Sequence, residues 1–237
     1  YWAMGQVDDA LEMLDATRAT ARISGDAGRW SRDAQFRFLS HAAMRNADAG
    51  RFDRAREIAD EMNSHLPEIR KGAPKGSSAV PFSELLELRA ESRLALARGD
   101  ARAARDIAAT MNEKLDATKV EGEVDQQFKF ALTWMANDVK AQAELALKEY
   151  GAAEQSARAA LAAREKWIFE PTVDKRHKAG AATSIALALV GEGKPADARQ
   201  VIEPVVKLHR ELAAKNRGDQ IQKVEMAAAL YAQALAD

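Results

Sequence analysis

The chain contains no cysteine in its 237 residues, which excludes disulfides, thiolate metal sites and cysteine nucleophiles. Aromatic residues make up only 6% of it, and β-branched residues never alternate with polar ones as in a strand. No stretch approaches the roughly 18 uncharged apolar residues of a membrane span. We therefore expect no membrane insertion, and the missing cysteines favour a cytoplasmic over a periplasmic location.

Excess charge of either sign is also missing. Lys and Arg number 35 against 36 Asp and Glu, which gives a formal net charge of -1. No global field attracts nucleic acid or an anionic membrane, so we expect no nucleic-acid partner.

Helix-forming residues dominate what is present. Alanine, leucine, arginine, glutamate and lysine are abundant, and the 6 prolines and 13 glycines fall mostly at the edges of apolar patterns. This composition predicts an all-α fold. The chain opens at Tyr1 without an initiator Met and stops at Asp237 inside an apolar pattern, so we expect it to be a region of a longer protein.

One short pattern recurs five times: a small residue or Lys, any residue, a usually apolar residue, two residues, and Ala. The aligned alanines are Ala10, Ala55, Ala104, Ala153 and Ala198, at intervals of 45, 49, 49 and 45. Such even spacing indicates a structural repeat with turns near residues 5, 50, 99, 148 and 193.

Each copy has the chemistry of a turn between two helices. The Gly can end a helix in the left-handed conformation, and Asp8, Asp53 and Asp100 can accept from the first amides of the next helix. The Ala lets two helix axes approach, and pairs such as Ile58/Met62 continue one buried stripe. Each unit is therefore predicted to be a helical hairpin.

The longer first helices of the units are predicted near 29–49, 82–98, 124–147 and 176–191, with Gln222–Ala236 as the first helix of a sixth unit. This gives about 10–11 helices. The main irregular stretch is predicted at Lys71–Pro81, as a basic loop, with a contact loop or a hinge as alternatives. Shorter turns are expected at Ser24–Gly28, Thr118–Glu123, Glu170–Asp174 and Lys215–Asp219. Because the repeat continues on both sides of the loop, we expect one domain over 1–237.

This layout resembles the tetratricopeptide repeat family, in which a Gly and an aromatic residue close the first helix and an Ala begins the second. Gly50, Phe52 and Ala55 match; Tyr150 also matches, but Lys148 replaces the Gly. Family repeats have about 34 residues, whereas these have 45 to 49, and the family's Trp does not recur. The resemblance implies a right-handed α-solenoid of antiparallel helical hairpins.

The resemblance also implies a concave face, lined by the first helices, that binds a protein or peptide. The family's inward positions, carried onto this chain, are Ser40, Met44, Ala47, Arg89, Arg93, Leu96, Asp138, Gln142, Leu145, Thr183, Leu187 and Val190. The polar members Arg89, Arg93, Asp138, Gln142 and Thr183 are the candidates for reading a peptide. Trp134, one turn further along, is the candidate apolar anchor.

No catalytic or metal motif is present. His41, His65, His177 and His209 lack ligand spacing, and Gly193-Lys194 is followed by Pro195 where a phosphate loop needs Ser or Thr. We therefore expect no cofactor, no metal and no enzyme. The aromatic clusters Trp30/Phe36/Phe38 and Phe128/Phe130/Trp134 are expected to pack in the core, with ligand stacking as the alternative.

The sequence thus favours a non-catalytic scaffold that binds a protein or peptide, within a larger bacterial regulatory or assembly protein. One alternative is an accessory domain that positions substrate for a fused enzyme such as a kinase or peptidase. Others are self-association through the open last helix and, weakest, an all-α enzyme. The partner and the oligomeric state are left open.

Overall fold

The structure is a computed structural model that describes residues 12, 13, 16, 32–73, 78–120, 122–168, 171–215 and 220–237, and within them it contains helices and no strands. The helices are α1 (Arg32–Asp48), α2 (Phe52–Ser64), α3 (Leu66–Gly72), α4 (Ala79–Ala97), α5 (Ala101–Ala117), α6 (Glu123–Ala146), α7 (Tyr150–Lys166), α8 (Pro171–Gly191), α9 (Pro195–Lys215) and α10 (Gln220–Ala236). The all-α prediction is confirmed for these residues. The predicted turn near residue 5, Ala10, Trp30 and Ser24–Gly28 lie outside them.

The chain divides into two compact units, which meet in sequence between Asp125 and Gln126. In the N-terminal unit α1 packs on α2 and α4, and α4 also packs on α2, α3 and α5. In the C-terminal unit α8 packs on α7, α9 and α10, and α9 packs on α10. Ala141 of α6 joins their core beside Ala157 and Ile185. The single domain over 1–237 stays a prediction.

The four predicted turns among the described residues share one backbone structure. Gly50, Gly99 and Gly193 have φ of 74°, 83° and 75°, and Lys148 adopts the same left-handed region with φ 61°. At each turn this residue donates to the carbonyl three residues earlier, and the next residue donates to the carbonyl five residues earlier. This pair of bonds satisfies the last carbonyls of a helix, so each first helix ends as the repeat predicts.

The aligned alanines begin the second helices and are completely buried. Ala55, Ala104, Ala153 and Ala198 are each 0% exposed. Each backbone N–H donates to the carbonyl four residues earlier, which is the residue just after the left-handed position. The Asp100 carboxylate accepts from Ala103 N at 3.1 Å, which confirms its predicted role at a helix start. Because these four methyl groups are completely enclosed, a larger side chain at any of the positions would displace its neighbours.

Turn aromatics pack in the same way in both units. Phe52 joins Leu94 in a cluster at the end of α4, where the Arg98 guanidinium lies 5.8 Å from its ring centroid. Tyr150 lies against the end of α8, where a Cβ on Gly191 would overlap its ring. Each aromatic residue therefore contacts the C-terminal end of the first helix of the next repeat, which is α4 for Phe52 and α8 for Tyr150.

The structure corrects the predicted loops. Lys71 and Gly72 belong to α3, and Ala79–Pro81 belong to α4, so these five residues are helical rather than irregular. Residues 74–77 of the predicted loop lie outside the described residues. The first i→i−4 bond of α4 is Phe82 N to Ser78 O at 3.0 Å, so the missing N–H of Pro81 breaks no helix bond. The predicted turn at Glu170–Asp174 is also wrong for residues 171–174, because α8 begins at Pro171.

Candidate functional site

The candidate inward positions of α1 lie in the core. Ser40, Met44 and Ala47 are 0%, 7% and 2% exposed. The Ser40 hydroxyl donates to the Leu86 carbonyl at 3.1 Å and so joins α1 to α4. These three residues hold the two helices together and present nothing to a partner.

Arg89 and Arg93 of α4 lie beside polar side chains of α1. Arg93 Nε donates to Asp48 Oδ1 at 2.5 Å, and Arg45 Nη1 lies 3.5 Å from Asp48 Oδ2. His41 lies one helical turn before Arg45 on α1. We call His41, Arg45, Asp48, Arg89 and Arg93 the basic surface. The Asp48 carboxylate contacts two of its three guanidinium groups, those of Arg45 and Arg93.

His41 is an imidazole held neutral by its surroundings. Burial, followed by the charges of Arg45 and Arg89, lowers the pKa of His41 from 6.5 to about 3. The imidazole is therefore neutral at pH 7, and its Nε2 accepts from Arg45 Nε at 3.4 Å. Burial is the largest cause of this lowered pKa, and the positive charges of Arg45 and Arg89 add to it, so both guanidinium groups lie close enough to His41 to act on it.

The other polar candidates lie in the C-terminal unit. Asp138 and Gln142 are half-buried on α6, and Gln142 Nε2 donates to Asp138 Oδ2 at 2.8 Å. Thr183 of α8 is 7% exposed and donates to the carbonyl of Ala179 at 2.9 Å. Thr183 is therefore bonded within its own helix and largely hidden from a partner. The structure brings together Arg89 with Arg93, and Asp138 with Gln142.

Trp134 belongs to an aromatic cluster in the C-terminal unit. Its ring stacks on Trp167 with centroids 5.7 Å apart and lies 4.3 Å from the His177 ring. The Arg164 guanidinium lies 4.5 Å from the Trp167 ring centroid and donates to the Trp167 carbonyl at 2.8 Å. Arg164 is only 1% exposed, whereas the rings of Trp134, Trp167 and His177 are half-buried. Trp134 thus packs against its neighbours at the edge of the core, and its role as an apolar anchor stays a prediction.

One polar atom of the cluster is left over. The Trp134 indole N–H is buried and meets no hydrogen-bond acceptor among the described residues. A buried donor without an acceptor costs about 1–3 kcal/mol. The stacking of Trp134 on Trp167 and His177 compensates part of this cost.

Sequence reasoning missed His41, Arg45 and Asp48 as neighbours of the candidate arginines. The i,i+4 spacing of His41 and Arg45 was a usable signal, because it places them on one face of a helix. Arg164 gave no such signal, since an arginine on an alanine-rich helix is ordinarily exposed. Its burial depends on Trp167 and His177, which lie outside its own helix.

No protein-family model, no curated protein and no solved structure matches the chain. The described residues hold no group of three or more His, Asp or Glu placed to bind a metal ion. Within the same part of the chain, no helix is both long enough and apolar enough to cross a membrane.

Proposed function

We propose that this chain is a non-catalytic helical repeat scaffold that binds an acidic segment of a partner protein through the basic surface. Its fold would be a right-handed α-solenoid of antiparallel hairpins, of the tetratricopeptide type. The recurring turn, the four buried alanines and the matching contacts of Phe52 and Tyr150 support a repeated unit.

The observation that carries the proposal is the arrangement of Arg45, Arg89 and Arg93 around Asp48 and the neutral His41. The side chains of Arg45 and Arg93 are 27% and 28% exposed, so they are partly ordered by their neighbours yet reachable. Guanidinium groups bind carboxylates with two parallel hydrogen bonds, and ordered side chains lose less entropy on binding. Glutamate and aspartate side chains of a partner are the matching groups.

The experiment is a selection of random 12-residue peptides displayed against the immobilised chain, followed by anisotropy titration of the enriched peptides. We expect enriched peptides to carry a net negative charge. Their affinity should fall about tenfold or more in the Arg89→Ala/Arg93→Ala variant, the effect of losing about 1.4 kcal/mol or more of charge-assisted hydrogen bonding.

The matched control is Arg102→Ala/Lys119→Ala, which removes the same charge from two exposed residues elsewhere in the N-terminal unit. It should bind as the wild type does, apart from a small long-range effect. Enrichment of peptides without acidic residues would contradict the proposal. So would equal losses in the two variants.

A further inference from the structure

A histidine and a glutamine form a buried polar pair between α9 and α10. His209 of α9 and Gln222 of α10 are 1% and 2% exposed. The Gln222 Nε2 atom lies 2.7 Å from His209 Nδ1 and donates to the His209 carbonyl at 3.2 Å. One amide nitrogen therefore contacts both the ring and the backbone of the same residue, and it does so at the N-terminal end of α10.

This geometry determines which ring nitrogen carries the proton. A carbonyl oxygen can only accept, so the group that faces the His209 carbonyl is the NH2 group of the Gln222 amide. The same nitrogen faces Nδ1, which must then accept as well, and the ring is neutral with its proton on Nε2. A proton added at Nδ1 would place two donors against each other.

The surroundings of His209 also disfavour a charged ring. Burial lowers the pKa of His209 below 6.5. A bond to Gln222 raises this pKa only if the amide turns its oxygen to the ring, and that oxygen would then face the His209 carbonyl. The positive charge of Arg176 on α8 lowers the pKa further.

Two charged residues of the neighbouring helices lie near this pair. Arg176 Nε of α8 donates to Glu225 Oε2 of α10 at 2.9 Å, and Glu225 follows Gln222 by three residues on the same helix. In the part of the chain that the structure describes, Arg176 is the charged group whose field acts on His209. A charged imidazole would therefore meet the positive charge of Arg176, while the Glu225 carboxylate is bonded to that arginine.

The C-terminal half of α10 is held by other forces. Ala229, Ala232 and Ala236 share an apolar cluster with Ile202 and Val206 of α9. None of these five side chains can take up a proton, so their contacts do not change with pH. Acidification should therefore act on the first turns of α10 and spare the rest of the helix.

We propose that the contact between α9 and the start of α10 is an acid-sensitive switch, in which protonation of His209 breaks its bond with Gln222 and releases the first two turns of α10. The switch lies in the C-terminal unit and does not depend on the binding function proposed above.

The direction of the response follows from the pKa of His209. In the released state the ring has an ordinary pKa of 6.5, which is higher than in the packed state, so between the two values the released state binds more protons. The packed state therefore has its full advantage above pH 6.5 and loses it progressively as the pH falls.

The test is hydrogen-exchange mass spectrometry of the full chain at pH 7.5 and 5.0, with protection factors corrected for the intrinsic pH dependence of exchange. The protection factor of residues 220–226 should fall several-fold, and by at most about thirtyfold, the ratio that a pKa of 6.5 in the released state allows. The protection factor of residues 229–236 should change by less than about twofold.

Two variants separate His209 from other effects of acid. His209→Asn keeps an acceptor near the place of Nδ1 but cannot take up a proton, so the fall in protection should disappear. Gln222→Glu places a carboxylate against the ring and favours the charged imidazole, so protection should persist or rise at pH 5.0. The matched controls are His65→Asn in the N-terminal unit and Gln200→Glu at an exposed position of α9, and both should respond as the wild type does.

Constant protection of residues 220–226 in the wild type would overturn the proposal. So would an equal fall in the wild type and both variants, or a fall of the same size along the whole of α10. If His209→Asn already exposes the start of α10 at pH 7.5, the Gln222→Glu variant decides, and a fall as large as that of the wild type would overturn the proposal.

Discussion

At the residue scale, Lys148 shows that a turn can be kept without its glycine. It has φ 61°, in the region where L-residues are strained by their Cβ. Gly99 has the same conformation, and a Cβ there would meet no atom within 4 Å. The difference between the two positions is therefore a backbone effect alone.

This gives a prediction of opposite sign at the two turns. Lys148→Gly should raise the free energy of unfolding by about 0.5–1 kcal/mol, and Gly99→Ala should lower it by about 1 kcal/mol. Urea denaturation measures both. A change of the same sign in the two variants would contradict the equivalence of the turns.

His41 predicts a dependence of stability on pH. Its pKa is about 3 in the folded chain against 6.5 as a free side chain, so between these values the unfolded state binds more protons. The resulting stability is complete above pH 6.5 and is lost as the pH falls towards 3. From pH 7.5 to pH 5.0 the wild type should lose up to about 2 kcal/mol from this group.

His41→Gln removes that contribution. The fall in the free energy of unfolding between pH 7.5 and 5.0 should therefore be smaller in the variant by up to about 2 kcal/mol. Urea denaturation at the two pH values gives this difference. An equal fall in both proteins would show that His41 is not held neutral by burial and its two arginines.

At the element scale, the contact between Tyr150 and Gly191 joins the start of α7 to the end of α8. Gly191→Ala should destabilise by about 1–3 kcal/mol, because the added methyl overlaps a ring in a packed contact. In a Tyr150→Ala background the same change should cost close to nothing, since the space is then open.

Gly180→Ala is the control for this pair. Gly180 lies in the same helix, and a Cβ there meets no atom within 4 Å. This change should stabilise by up to about 1 kcal/mol through helix propensity. Thermal unfolding of the wild type, Gly191→Ala, Tyr150→Ala and the double variant measures the coupling between the two residues. A cost for Gly191→Ala that persists without the Tyr150 ring would contradict the contact.

Elements were predictable from the sequence where local chemistry decides them. Gly50, Ala55 and the Asp100 cap act within a few residues of their own position, so periodicity was enough to find them. The start of α4 was harder to predict from the sequence, because Pro81 is compatible with a helix only in its first turn. The pairing of Asp48 with Arg93 could not be predicted from the sequence, because it depends on how α1 packs against α4.

At the scale of the whole molecule, two surfaces have different characters. The basic surface of the N-terminal unit is polar, and its arginines are held by neighbours. In the C-terminal unit, the side chains of Val224, Tyr231 and Leu235 on α10 are apolar and exposed. An acidic segment of the proposed partner would match the first of these surfaces by its charge and not the second.

The central claim is that a partner's acidic segment binds the first helices of the N-terminal unit. Hydrogen-exchange mass spectrometry of the chain, with and without a saturating selected acidic peptide, tests it most directly. We predict slower exchange in Arg32–Asp48 and Ala79–Ala97, and no such change in the Arg89→Ala/Arg93→Ala variant. Slower exchange confined to α2 and α5, with α1 and α4 unchanged at saturation, would contradict it.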